Sequence, residues 1–235
     1  MKKKSIKDRY SRNLGTFSTE EQEQLKTSQV VVIGLGGLGG GVCEMLARTG
    51  VGRLKLIDGD LFDPSNLNRQ LLSTEDLIGV PKAVAAKDRL AAVNSEVIAE
   101  HRVETLDREG MIKQINGADV VMDCLDSIDA RFDLQAAART VGVPIVSGAI
   151  AGVAGQVTTI FPTDAGYELI YGSKDHARSH GVETQTGNIS YCALMVSAFQ
   201  ASECVKILLN RGELLRDKLL IAELWTNTFD VVDLC

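Results

Sequence analysis

The chain has 235 residues, 45% of them hydrophobic and 24% charged, enough to bury a substantial core as one large domain or one domain with an extension. Acids outnumber bases by 31 to 25, and the net charge of −6 disfavours nucleic acid and acidic membrane surfaces as partners. No apolar run reaches about 18 residues and the lysine-rich start lacks an apolar core, so the reading gives neither a membrane span nor a signal peptide. Five scattered cysteines (Cys43, Cys124, Cys192, Cys204 and Cys235) make no C-x-x-C pair. That pattern suits a reducing cytoplasm and leaves a zinc knuckle without visible ligands.

In chain order, Met1–Lys7 is a loose basic start, and Arg9-Tyr10-Ser11-Arg12-Asn13 reads on its own as a surface segment. Thr19–Lys26 is predicted as a short helix opened by Ser18, with Glu21 at the capping-box position. Val30–Ile33, short and rich in β-branching, reads as an interior strand. Gly34, Gly36 and Gly39 follow with G-x-G-x-x-G spacing, and Gly37-Leu38 lead into a helix ending near Gly50. The first glycine allows a tight turn, the second admits a phosphate to backbone N–H groups, and the third lets helix pack on strand. A second strand, Leu54–Ile57, ends in Asp58, about 20 residues on, where a carboxylate meets a ribose hydroxyl. These elements predict a nucleotide site without saying which nucleotide.

The polar run from Gly59 to Gln70 reads as loop and short helical turns at the carboxyl edge of the sheet, which places Arg69 to meet phosphate. A helix from Val80-Pro81-Lys82 to Val93 puts Lys82 in its first turn. A lysine there opposes the helix dipole, which suggests a second cation aimed at a polyphosphate. Val97–Val103 is predicted as a strand, Asp107–Ile115 as a helix and Ala118–Cys124 as a buried strand. Asp123 could hydrogen-bond within that strand. Asp126, just past it, could hold a divalent metal on a nucleotide or could cap the helix Ile128–Val141. Strands are predicted at Pro144–Ile150 and Gly155–Phe161. The β-α-β-α-β-α-β order predicts an α/β fold with a Rossmann-like, mostly parallel sheet and helices on both faces, to which antiparallel strands are added in the C-terminal part. Thr163–Asn188 has no sustained period and reads as a lid, crossing loop or partner surface. His176 and His180, spaced i, i+4, read as solvated rather than zinc-binding, lacking a supporting ligand. Ile189–Leu209 is predicted as a core helix, with terminal strands at Leu219–Trp225 and Phe229–Leu234.

Six motifs in order, RYSRN, GLGGLG, IDGD, SNLNRQ, PK and DCLDS, make the chain from about Ile6 to Leu234 similar to the ubiquitin-activating superfamily. It most resembles the bacterial sulfur-carrier adenylyltransferases of the ThiF, MoeB and HesA type. The resemblance implies a cytoplasmic homodimer that uses ATP and Mg²⁺ to adenylate the C-terminal glycine of a ubiquitin-like sulfur carrier ending in Gly-Gly, releasing pyrophosphate. It implies a single adenylation domain over 1–235, with an arm and helix at 1–28, a nucleotide-binding half at 29–150, and a C-terminal half at 151–235 with a long loop near 163–188. By the same resemblance Gly34, Gly36 and Gly37 lie along the phosphates, and Asp58 holds the ribose with Asp60 nearby. Ser65, Asn66, Arg69, Gln70 and Ser127 line the nucleotide, Arg69 and Lys82 meet the phosphates, and Asp126 is the metal and catalytic carboxylate. Arg12 reaches the neighbouring subunit's ATP. The chain departs from many relatives at the zinc pairs, with Gly166 and Leu169 near the first pair's place and Cys235 alone at the end. Glu183-Thr184 stand where some relatives hold a reactive cysteine, Cys192 falls in the helix, and Asp126-Ser127 replaces the usual Asp-Asn. Zinc is therefore not expected, and no thioester step is implied. Two rival readings remain, a nicotinamide-dependent oxidoreductase and a nucleotide-binding homologue without turnover.

Overall fold

A computed structural model describes residues 9–174 and 186–234. His176, His180, Glu183, Thr184 and Cys235 lie outside the described residues. The chain order is α1 (Thr19–Thr27), β1 (Gln29–Ile33), α2 (Gly39–Thr49), β2 (Arg53–Ile57), α3 (Lys82–Val93), β3 (Ile98–Arg102), α4 (Arg108–Ile115) and β4 (Val120–Asp123). There follow α5 (Ile128–Val141), β5 (Ile145–Ala151), β6 (Ala154–Ile160), α6 (Tyr167–Tyr171), α7 (Ser190–Leu209), β7 (Lys218–Glu223) and β8 (Thr228–Asp233). All eight strands form one sheet in the order β3-β2-β1-β4-β5-β6-β7-β8. Pairing is parallel from β3 to β5 and antiparallel from β5 to β8. The chain first builds outward from β1 to β3, then returns to place β4 on the other side of β1. This reversal opens a crevice at the carboxyl ends of β1 and β4.

Strand periodicity sorts the core into two layers. Val30, Val32, Leu54, Leu56 and Met122 face α2, α3 and α7, whereas Val31, Ile33, Ile57 and Val121 face α4, α5 and α6. Capping explains the helix limits. Ser18 and Glu21 form the reciprocal capping box of α1, and Gly50 ends α2 in the left-handed region at φ 100°. Gly142 ends α5 at φ 78° in the same way.

Two readings of the sequence are corrected here. The cap of α5 is Ser127, whose Oγ accepts from the Ala130 N–H, so Asp126 is left with no capping role. The irregular segment after Thr163 contains α6, too short to leave a period, with Tyr167 wholly buried beneath α5. α7 has the length and mean hydropathy of a membrane span, 1.5 over its most apolar window. Its polar groups bind the fold itself, however. Ser197 Oγ donates to Leu38 O at 2.9 Å, Gln200 Nε2 donates to Asp123 O at 2.9 Å, and Glu203 accepts from Thr159 Oγ1 at 2.6 Å. α7 is the core helix of this sheet.

Candidate nucleotide site

The crevice opens into a cleft of about 1350 Å³. Gly34, Gly36, Gly37, Asp58, Asp60, Asn66, Arg69, Gln70, Lys82, Asp126 and Ser127 all line it. The turn over β1 needs its glycines. Gly34 sits at φ +87°, and a Cβ there would lie 2.5 Å from Cys124 O. A Cβ on Gly39 would lie 1.8 Å from Gly34 O, because the first turn of α2 is pressed onto the end of the strand. At Gly36 and Gly37 a Cβ would meet nothing closer than 3.6 Å, so the backbone between them is open to the cleft. The α2 N-terminus, whose N-cap Leu38 makes no side-chain capping bond, directs its first N–H groups at that space.

Asp58 hangs from the end of β2. Its Oδ2 accepts from Leu35 N at 2.6 Å and its Oδ1 from Asp60 N at 2.8 Å. Burial raises its carboxyl above the usual range, and the two backbone N–H groups pull the other way. Each oxygen keeps a lone pair for a sugar hydroxyl. Lys82, the first residue of α3, is 6% exposed, and its Nζ donates to Asp60 Oδ2 at 2.8 Å. A carboxylate from the same chain thus holds the lysine that the sequence assigns to phosphate, and 22 residues of separation hide that pair from a reading of spacing. Arg69 makes no ion pair among the described residues. Its Nη1 donates to Ser65 O at 2.9 Å and to Asn68 Oδ1 at 3.0 Å. Gln70 is 6% exposed, and its Oε1 has no hydrogen-bond partner among the described residues, an unsatisfied acceptor on the cleft wall.

The opposite rim is the β4–α5 loop. Asp126 is exposed, makes no hydrogen bond among the described residues and faces the cleft. Beside it Cys124 is half-buried at its surface, and burial, then the Asp123 charge, pushes its thiol well above the ordinary range. Such a thiol stays protonated at neutral pH and is a poor nucleophile. Cys192 is buried in α7 and pushed up to about 11, first by burial and then by Glu223.

Two sequence assignments fall outside the cleft. Ser65, exposed in a single 3₁₀ turn, Pro64–Asn66, is not among the cleft-lining residues; its Oγ accepts from Asn66 Nδ2 at 3.5 Å and its carbonyl from Arg69 Nη1. Arg12 is exposed at the far end of α2. Its neighbour Asn13 bonds Thr49 O at 3.4 Å, and Tyr10 accepts from Asn94 Nδ2 at 2.8 Å. Sequence reasoning missed Arg131 and the wall formed by Ala149, Ile150, Ala151, Ala154, Gly155, Gln156 and Tyr171. The run from Gly148 to Gly155, six of its eight residues Gly or Ala, is the available signal for that wall.

Among the described residues no group of three His, Cys, Asp or Glu side chains comes together to hold a metal. Gly166 caps α6 and Leu169 is 38% exposed; neither residue type carries a side-chain donor for a metal.

The match described as the ThiF family spans residues 10–234. The chain is 34% identical over 227 residues to the SAMP-activating enzyme E1 of Haloferax volcanii, covering 96% of this chain and 84% of that one. It is 34% identical over 225 residues to the molybdopterin-synthase adenylyltransferase of Salmonella typhimurium, covering 94% and 90%. With the sulfur carrier protein ThiS adenylyltransferase of Bacillus subtilis it shares 34% over 224 residues, covering 93% and 66%. Among solved structures, PaaA superposes with a TM-score of 0.82 at 23% identity, covering 100% of this chain and 75% of that one. The complex of Escherichia coli MccB with ATP superposes at 0.81 and 22% identity, covering 99% and 72%. At such identities the likeness is one of fold. The relatives' class sets aside the oxidoreductase reading: the chain belongs to the ThiF family and is an adenylyltransferase.

Proposed function

We propose that this enzyme uses Mg–ATP to adenylate the C-terminal glycine carboxylate of a small ubiquitin-like sulfur carrier ending in Gly-Gly, releasing pyrophosphate. The observation that carries the reading is the cleft itself, where Asp58, Arg69 and Lys82 stand around the open glycine turn and Asp126 faces them from the other rim. The names of the sulfur-carrier relatives support the choice of acceptor. The nucleotide's ribose hydroxyls meet Asp58, and its phosphates run past Gly36 and Gly37 toward Arg69 and Lys82. The Gly- and Ala-rich wall from Ala149 to Gly155 leaves room for an extended tail lacking side chains.

A carboxylate oxygen of the carrier attacks the α-phosphorus, an acyl–phosphate bond forms, the α–β bridging bond breaks, and pyrophosphate leaves with its electron pair. No protein nucleophile or proton transfer is needed. Anions repel one another as they meet, so positioned cations lower the barrier. Magnesium enters as part of the substrate. Asp126, exposed and without a hydrogen-bond partner among the described residues, fits the role of its protein carboxylate, and those residues offer no cage that would hold the ion alone. Arg12 of a second subunit, in a homodimer, completes the set of cations.

The test is exchange of labelled pyrophosphate into ATP with purified ubiquitin-fold carriers ending in Gly-Gly, each supplied singly. Exchange with one of them supports the reading. Tight ATP binding without exchange for any carrier would leave a nucleotide-binding homologue without turnover.

A further inference from the structure

The mechanism leaves unused a charged pair buried directly under the catalytic rim. Asp123 is wholly buried at the end of β4, and Arg131 is 4% exposed in α5. Arg131 Nη1 lies 3.1 Å from Asp123 Oδ2 and donates to Ser147 Oγ at 3.1 Å. Ser147 Oγ and Tyr167 Oη each donate to Asp123 Oδ2 at 2.6 Å. A buried pair of this kind could do no more than hold β4, α5 and α6 together. Its remaining bonds point to something narrower. Asp123 Oδ1 accepts from Leu125 N at 3.0 Å, and Arg131 Nη2 donates to Leu125 O at 2.5 Å and to Gly148 O at 2.9 Å. The pair therefore grips Leu125 at both its N–H and its C=O, and the next residue is Asp126. On the other flank Ser127 is locked as the helix cap. Among the described residues, Asp126 is the polar side chain of this loop that makes no hydrogen bond, and it lines the cleft.

We propose that Arg131 is a positioning residue: backed by Asp123, it fixes the Leu125 peptide and so sets where Asp126 meets the metal of Mg–ATP. The proposal rests on the reading of Asp126 given above. A planar guanidinium suits the task because its fork reaches two carbonyls and a hydroxyl together, whereas an ammonium directs its donors from a single point. An error of about 1 Å in such a carboxylate can cost on the order of 100-fold in function.

The test needs no carrier. ATP affinity is measured by calorimetry in excess magnesium and again with a chelator, and the ratio isolates the metal's contribution. In Arg131→Lys the ratio falls on the order of tenfold while affinity for chelated ATP stays within about threefold, as expected when only the metal contact is disturbed. In the Asp126→Asn background the same substitution changes the ratio no further, because the two residues act as one unit. A wild-type ratio in Arg131→Lys overturns the proposal, as does an equal fall in both backgrounds. If Arg131→Lys does not fold, Tyr167→Phe, which removes one donor from Asp123, must lower the ratio in an Asp126-dependent way, and an unchanged ratio refutes the proposal. A wild-type ratio in Asp126→Asn itself sinks the underlying reading of Asp126. A fall there with none in Arg131→Lys sinks only the role of Arg131.

Discussion

Asp126 and Lys82 differ in how the fold has prepared them. The carboxylate faces the cleft with no partner among the described residues, so its removal leaves none of their polar groups unsatisfied. Asp126→Ala should retain the parent's thermal midpoint while pyrophosphate exchange falls by about 10²–10³-fold, the usual scale for losing one charge-stabilising group. Wild-type exchange in that variant would remove Asp126 from the site. Lys82 is already paired with Asp60, so phosphate must share or displace that carboxylate. A charged hydrogen bond is worth about 1.5–3 kcal/mol, so Lys82→Gln should weaken ATP binding by about 10- to 100-fold in calorimetry. An unchanged dissociation constant would mean the Lys82–Asp60 pair is purely structural.

Among the elements, α2 carries the site and shows what the backbone demands. A Cβ on Gly39 has no space beside Gly34 O, and neither partner is a flexible side chain. Gly39→Ala should cost about 3 kcal/mol in denaturant unfolding, at the upper end for overpacking, and should weaken ATP binding as α2 backs away from β1. Parent-like stability would show that the turn yields. At the middle of α2, Glu44 accepts from Arg89 at 2.8 and 2.9 Å and from Arg48 at 2.6 Å, tying α2 to α3. These bonds, Arg89's first, hold its carboxyl below the ordinary value of 4.5. A lowered folded-state value means the stabilisation is complete above the unfolded value and fades as pH falls through the folded one. Glu44→Gln should lose about 2 kcal/mol at neutral pH, and the gap to the parent should close under acid. A gap that is constant with pH would contradict the assignment.

Legibility followed distance along the chain. The capping box of α1, the glycine stop of α2 and the β-branched strands are decided by neighbours a few residues apart, and their sequence readings match the fold. α6 escaped because five residues leave no period. Asp126 and Ser127 are both good caps, and spacing alone could not choose between them. The Lys82–Asp60 pair and the grip of Arg131 on Leu125 join residues that only the sheet brings together.

On the scale of the whole molecule, the sheet puts the cleft at one end of α2 and Arg12 at the other. The 11 residues of that helix span about 16 Å, so within one chain Arg12 does not join Arg69 and Lys82. Its proposed role therefore requires a second subunit. Arg12→Ala and Lys82→Ala proteins, each inactive alone, should recover up to about a quarter of wild-type exchange on mixing, the share of intact sites in randomly paired dimers. No recovery, with subunit exchange verified, would leave Arg12 a surface residue. The central claim is that this fold joins AMP to a carrier's carboxyl terminus, and mass spectrometry of the carrier after reaction with Mg–ATP tests it most directly. The predicted result is an AMP adduct on the terminal glycine, formed with release of pyrophosphate and absent with Asp126→Ala. Carriers recovered unmodified, with ATP bound yet intact, would contradict it.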